Sequence, residues 1–141
     1  MRQRCPSARF VCAARLPGHQ LAFTRRSIDR GCGVADVVPE ANAEVWGAVF
    51  EFDERDVGSL DSSEGFVPGR ALAANSYTRD ERQVFRDGNL HEPLTVWIYF
   101  AQRQNNPPRP NAAYKNLIVE GARYWHLPPD YLAEVERIEV S

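Results

Sequence analysis

Glycine and proline divide the first half of the chain into short runs with strand character. These runs are rich in β-branched and aromatic residues, and turn residues separate them. The predicted strands cover residues 9–16, 19–26, 34–38 and 43–52. Because no helical segment lies between them, they predict an antiparallel or mixed sheet rather than repeated βαβ units.

A short helix follows the fourth strand. Asp53 is a typical N-cap residue, and Gly65 is placed to end the helix as a C′ glycine. Residues 66–75 contain glycine and proline and predict a surface loop. Two further strands are predicted near residues 76–85 and 94–101.

The C-terminal part predicts two more helices. Asn111 is placed to cap the longer helix, and Pro129 suits the first turn of a final helix that ends near Glu136. With about six strands and three helices, the chain is predicted to be α+β, with a sheet curled towards a barrel. The apolar stripe of the longer helix consists of Tyr114, Leu117, Ile118, Gly121, Ala122 and Trp125.

Composition limits the class of protein. A chain of 141 residues with 43% hydrophobic residues is long enough for one domain with its own core, here residues 1–141. Lys and Arg total 17 and Asp and Glu total 19, so the formal net charge is −2. That balance argues against bulk electrostatic binding to nucleic acid or membrane lipid. The three cysteines lack paired spacing, which predicts reduced thiols in a cytoplasmic protein.

Few residues carry a recognisable chemical pattern. Motifs for nucleotide binding and for zinc are absent, so neither a cofactor nor a metal is predicted. Glu64 ends the short helix just before a glycine, in a constrained corner that suits a general base. Its alternative is a solvated glutamate at a helix end. Residues 30–33 predict either a backbone nest for an anion, with Gly31 and Gly33 presenting amides, or an ordinary hairpin connection.

Several segments, in the same order along the chain, resemble the γ-glutamylcyclotransferase (AIG2-like) family. Residues 60–65, Leu-Asp-Ser-Ser-Glu-Gly, look like the family's LDxxEG motif, and residues 111–132 are similar to its C-terminal helical region. The resemblance covers nearly the whole chain. The other segments that carry it are residues 4–10, 14–19, 21–23, 33–39 and 45–50.

The resemblance implies a small mixed, mostly antiparallel β-barrel with helices packed around it. It assigns Glu64 as the catalytic acid/base in the cyclisation of a γ-glutamyl group to 5-oxoproline, with release of an amine or amino acid. No metal or cofactor is needed, and the partner is a small γ-glutamyl substrate. Residues near the substrate pocket would be Tyr77, Tyr99 and Tyr114, with core packing as the alternative for each ring.

One feature of the family pattern has no counterpart in the sequence. The family opens with a strand that ends in a YGSN-type loop, followed by a helix inside which Met1 would fall. We therefore expect a domain shortened at its N-terminus, through either a misassigned start or a real truncation. A non-catalytic or degenerate member that binds a γ-glutamyl-like ligand or a protein partner is the alternative function.

Overall fold

Residues 5–141 are described by the computed structural model, so Arg4 and the helix predicted around Met1 lie outside the described residues. The described strands form one four-stranded sheet in the order β2-β1-β3-β4, and every pairing is antiparallel. The strands are β1 (Arg9–Arg26), β2 (Gly33–Glu51), β3 (Tyr77–Arg86) and β4 (Pro93–Ala101).

The four strands predicted before residue 53 are in fact two long ones. The prediction of a break at Pro17 was wrong because Gly18, with φ of 73°, forms an irregularity inside β1 while pairing with β2 continues. Pro39 also lies within a strand. Since β2 is at the edge of the sheet, the missing N–H of Pro39 costs little in backbone pairing.

Among residues 5–141, three α-helices flank the sheet, as predicted. They are α1 (Val57–Ser63), which a 3-10 turn precedes, α2 (Ala112–Tyr124) and α3 (Pro129–Glu136). The side chain of Asn111 accepts from the backbone N–H of Tyr114 at 2.8 Å, which confirms the predicted cap. Asp53 makes no capping hydrogen bond and instead pairs with Arg55. The α+β class is confirmed.

The packing of α2 departs from the predicted stripe at two positions, since Leu117 is exposed and Val119, outside the stripe, is buried. Val119 and Ala122 are buried against α3, together with Tyr131 and Val135. Leu117, which the helical spacing placed in the stripe, is 53% exposed. Within residues 5–141 no helix has the length and apolar character needed to cross a lipid bilayer.

The inner face of the sheet surrounds an apolar cavity of about 700 Å³. Its wall includes Leu16, Val84 and Val96 from three strands, and Leu60 brings α1 to its border. β2 and β4 approach each other across the curled sheet. Among the described residues, however, no backbone pairing joins these two strands, so the ladder stays open at this point.

Candidate active site

Glu64 lies directly at the C-terminal end of α1. Its backbone N–H donates to the carbonyls of Leu60 and Asp61 at 3.2 and 3.1 Å, and the chain then turns at Gly65 with φ of 67°. The Ser76 N–H donates to the Gly65 carbonyl at 3.0 Å. A Cβ at Gly65 would lie 2.9 Å from the Cβ of Ser76, so this close approach requires glycine. The corner at Glu64 is therefore held against the start of β3.

A buried ion pair holds α1 to the sheet. The carboxylate of Asp61 accepts two hydrogen bonds from one guanidinium nitrogen of Arg79, at 2.9 and 3.0 Å, and one from the Tyr99 hydroxyl. The Arg79 guanidinium also lies over the rings of Trp97, at 4.1 Å, and Phe66, at 5.6 Å. Asp61 precedes Glu64 by three residues, so these contacts fix the helical turn that carries Glu64.

Two tyrosines from different elements bind the backbone of the same residue of β2, Ala35. The Tyr77 hydroxyl donates to the carbonyl of Ala35, and the Tyr114 hydroxyl accepts from the N–H of Ala35, both at 2.9 Å. Tyr77 begins β3 directly after Ser76, while Tyr114 lies on α2. The start of β2, the start of β3 and α2 therefore meet next to the corner at Glu64.

The predicted tyrosines also lie within electrostatic reach of Glu64. Burial is the largest cause that raises the pKa of each of Tyr77, Tyr99 and Tyr114, and the negative charge of Glu64 raises all three pKa values further. Raised pKa values keep the hydroxyls protonated at neutral pH. The structure thus brings Glu64 together with all three tyrosines that the sequence had singled out.

These phenols predict a loss of stability in alkali. Burial raises the pKa of Tyr131 to about 12 and raises the pKa values of Tyr77, Tyr99 and Tyr114 as well. Unfolded tyrosine ionises near pH ~10, so above that pH the unfolded state binds fewer of these protons than the folded state. We expect the free energy of unfolding to fall as the pH rises from about 10 to 12.

Urea titrations at increasing pH measure this loss, and phenolate absorbance reports the ionisation itself. Tyr131→Phe should make the decline shallower, because it removes one of the groups that hold their protons in the folded state. If the folded protein formed phenolate at the same pH as the urea-unfolded protein, the interpretation would be wrong.

Of the two predicted glycines, Gly31 lies in the turn between β1 and β2, and Gly33 is the first residue of β2. The Gly31 N–H donates to the Ser27 carbonyl at 2.9 Å, and the Gly33 N–H donates to the Arg109 carbonyl at 3.0 Å. Both amides are thus engaged within the protein. The Gly31 amide bonds inside the hairpin connection that was the alternative to an anion nest, whereas the Gly33 amide bonds to the segment before α2. A substrate-binding role for Gly31 and Gly33 stays a prediction.

Sequence reasoning did not single out two buried carboxylates. Asp61 had a usable signal, since it stands three residues before Glu64 in the same motif. Asp36 had none: it is 2% exposed and accepts from the hydroxyl of Thr24 and the N–H of Ala101. Asp36 lies on β2 next to Ala35, the residue that the tyrosines contact, and its side chain links β2 to β1 and to the end of β4.

The apolar cavity under the sheet reaches the candidate site from one side. Leu60 and Tyr99 line it, whereas Glu64 is not part of its wall. In the part of the chain that the structure describes, no three side chains of His, Cys, Asp or Glu are grouped as a metal ion would require. The groups available at this site are the Glu64 carboxylate, the three phenols and the buried pair of Asp61 and Arg79.

Comparison with known proteins gives a consistent result. The AIG2-like family model matches residues 44–135. The gamma-glutamylcyclotransferase of Homo sapiens is 29% identical over 140 residues, which is 96% of this chain and 70% of the human protein. The gamma-glutamylcyclotransferase of Bos taurus is 28% identical, with the same coverage of both chains.

Solved structures agree with the sequence relatives. A structure of gamma-glutamyl cyclotransferase superposes with a TM-score of 0.86 at 28% identity, covering 99% of this chain and 80% of that one. YkqA from Bacillus subtilis has a TM-score of 0.75 at 18% identity, covering 96% of this chain and 45% of that one, which shows a shared fold. Since the family model spans well over half of the sequence, the chain belongs to the AIG2-like family.

Proposed function

We propose that this protein is a γ-glutamylcyclotransferase, which cyclises a γ-glutamyl group to 5-oxoproline and releases the attached amine or amino acid. The observation that carries the proposal is Glu64, fixed at the end of α1 by the buried pair of Asp61 and Arg79 and within electrostatic reach of three tyrosines. The names of the relatives support the same reaction.

One carboxylate is sufficient for the proton transfers. The substrate's α-amino group is protonated at neutral pH and must lose a proton before it can attack. Glu64 accepts that proton, and the freed nitrogen forms a bond to the γ-carbonyl carbon. Glu64 then returns this proton to the leaving nitrogen as its bond to that carbon breaks. The attacking nitrogen gives up a second proton as the ring forms, and the released amine takes it up to leave as an ammonium ion. No water is consumed, and the products are 5-oxoproline and the amine.

The hydroxyl of Tyr114 is the best donor to the charge that develops on the γ-carbonyl oxygen. The Tyr77 hydroxyl already donates to Ala35, and the Tyr99 hydroxyl already donates to Asp61. Tyr114 instead accepts from Ala35, so its own hydrogen can be donated to another acceptor. A donor held in place before the reaction stabilises an oxyanion more effectively than mobile water does.

We also propose that the reaction takes place in the cytoplasm. Cys5, Cys12 and Cys32 are buried free thiols, which suits a reducing compartment such as the cytoplasm. γ-Glutamyl peptides of glutathione metabolism are therefore suitable substrates to test, together with γ-glutamylamines.

The purified protein, incubated with a panel of γ-glutamyl compounds, should release 5-oxoproline and free amine in equal amounts. Addition of a chelator should leave the rate unchanged, because proton transfer by a carboxylate needs no metal. Quantification of both products by chromatography measures the result. Saturable binding of these compounds without any 5-oxoproline would instead indicate a non-catalytic family member.

A further inference from the structure

A gap separates the two edge strands of the sheet. β1 runs antiparallel to both β2 and β3, and β4 runs antiparallel to β3, so β2 and β4 run in opposite directions. Strands in this orientation can pair directly when they are adjacent. Within residues 5–141, β2 and β4 nevertheless share no backbone ladder, although the sheet curls them towards each other. Their separation, and not their direction, therefore keeps the ladder open.

The apolar cavity opens onto the edges of both strands. Side chains of a strand point alternately to its two faces, so a cavity on one face is lined by every second residue. This cavity is instead lined by every residue from 94 to 99 of β4 and by every residue from 47 to 51 of β2. Such continuous lining requires the cavity to face the strand edges as well as the inner face of the sheet.

The backbone along these edges is available for pairing. Apart from the ladders with β1 and β3, no backbone–backbone hydrogen bond in the described part of the chain involves residues 47–51 or 94–99. An edge strand with unpaired N–H and C=O groups is a template for one further strand. Because two such edges border the same cavity, a single inserted strand can pair with both.

The side chains around the cavity form an incomplete core. Val49, Val96 and Ile98 pack against the buried cluster that contains Leu16, yet each of them is only partly buried. Beside β2 the space is open, since a Cβ at Gly47 would lie more than 4 Å from any atom outside its chain neighbours. Apolar side chains of an inserted strand would complete the burial of these residues, which is favourable.

Charge at the rim of the cavity indicates what else the inserted strand carries. Among the described residues that line the cavity, the charged ones are all glutamates, Glu51, Glu54 and Glu81. All three are exposed, and Glu51 pairs with Arg9 at 3.4 Å. Basic residues at the ends of a strand would meet opposite charge here, whereas acidic ends would be repelled.

We propose that the gap between β2 and β4 binds an extended segment of a partner protein, with apolar residues at alternate positions and lysine or arginine at its ends. Main-chain hydrogen bonds to the two edges provide affinity, and the alternate side chains provide specificity. The segment lies parallel to one edge strand and antiparallel to the other, because β2 and β4 run in opposite directions. The lining run of β4 sets its length at about six residues, or roughly 20 Å.

The synthetic peptide KVTVTVTVK tests the proposal with the whole 141-residue chain. Its fluorescein-labelled form should bind saturably, one peptide to each chain, as measured by fluorescence anisotropy. The same peptide with every second backbone amide N-methylated keeps its side chains and charges but cannot donate to one of the two edges. We expect it to bind about tenfold more weakly, and EVTVTVTVE to lose a similar factor through repulsion at the rim.

Two variants of the protein locate the binding site. Gly47→Phe fills the open space beside β2 and should weaken the binding of KVTVTVTVK about tenfold. Glu81→Lys should weaken it about fivefold and should strengthen the binding of EVTVTVTVE. Glu120→Lys is the matched control, the same change of charge at an exposed position of α2, and it should leave both affinities unchanged.

Hydrogen exchange shows which backbone the bound peptide covers. Amides in both residues 47–51 and residues 94–99 should exchange about tenfold more slowly in the complex. Protection of only one strand, equal binding of the N-methylated peptide, or no binding at all would overturn the proposal. Binding of palmitate but not of the peptide would assign the cavity to a lipid instead, and a dimer with both segments already protected would assign it to a second copy. These measurements need no turnover, so they are independent of whether the protein releases 5-oxoproline.

Discussion

Glu64→Gln is expected to lower kcat for 5-oxoproline release by roughly 100- to 10,000-fold, the usual contribution of a general acid–base group. The amide has nearly the same shape as the carboxylate but cannot accept a proton from the substrate's ammonium group. The backbone hydrogen bonds of residue 64, to Leu60 and Asp61, do not involve the side chain and should remain. The measurement is the initial rate at saturating γ-glutamyl substrate.

The matched control is Glu120→Gln, the same chemical change on an exposed face of α2. It should leave the rate unchanged within twofold. Both variants should melt within about 4 °C of the parent, which corresponds to roughly 1 kcal/mol in a domain of this size. A Glu64→Gln variant that folds normally and keeps most of its activity would exclude Glu64 as the acid/base.

The part of the site that the sequence predicted depends on local signals. A short helix, a carboxylate at its end and a glycine directly after it can be recognised within about ten residues, and the structure has each of them in that order at Glu64. The Asn111 cap and the proline that begins α3 are equally local. Helix boundaries of this kind depend on the unpaired backbone N–H and C=O groups at the ends of one segment. The residues that satisfy them are therefore visible in the local sequence.

Contacts between distant segments could not be predicted in the same way. Tyr77 and Tyr114 are 37 positions apart along the chain, and only the completed sheet places both on Ala35. Pro17 and Gly18 read as a turn by local chemistry, yet long-range pairing with β2 carries β1 through them. Strand pairing outweighs a local turn preference where one irregular residue, as in a β-bulge, lets the pairing continue on both sides.

The second large effect is expected at the pair of Asp61 and Arg79. The side chain of Asp61 is 5% exposed and that of Arg79 is 19% exposed. Asp61→Asn leaves the guanidinium without its negative partner, and removal of one member of a buried pair costs about 3–5 kcal/mol. We expect a loss of that size in the free energy of unfolding, measured by urea denaturation. We also expect a fall in activity of at least tenfold, because the turn that carries Glu64 loses its anchor.

A double-mutant cycle tests whether Asp61 and Arg79 stabilise the protein through their contact with each other, or whether any substitution on α1 is destabilising. Arg79→Met alone should also be strongly destabilising, because it leaves the Asp61 carboxylate buried and unpaired. The combination of both changes should cost clearly less than the sum of the two, since neither uncompensated charge then remains. Glu51→Gln is the control: the pair of Arg9 and Glu51 is 70% and 60% exposed, so its loss should cost at most about 1 kcal/mol. Additive losses in the cycle would show that Asp61 and Arg79 contribute to stability independently. The contact between Gly65 and Ser76 would then be what holds Glu64 in position.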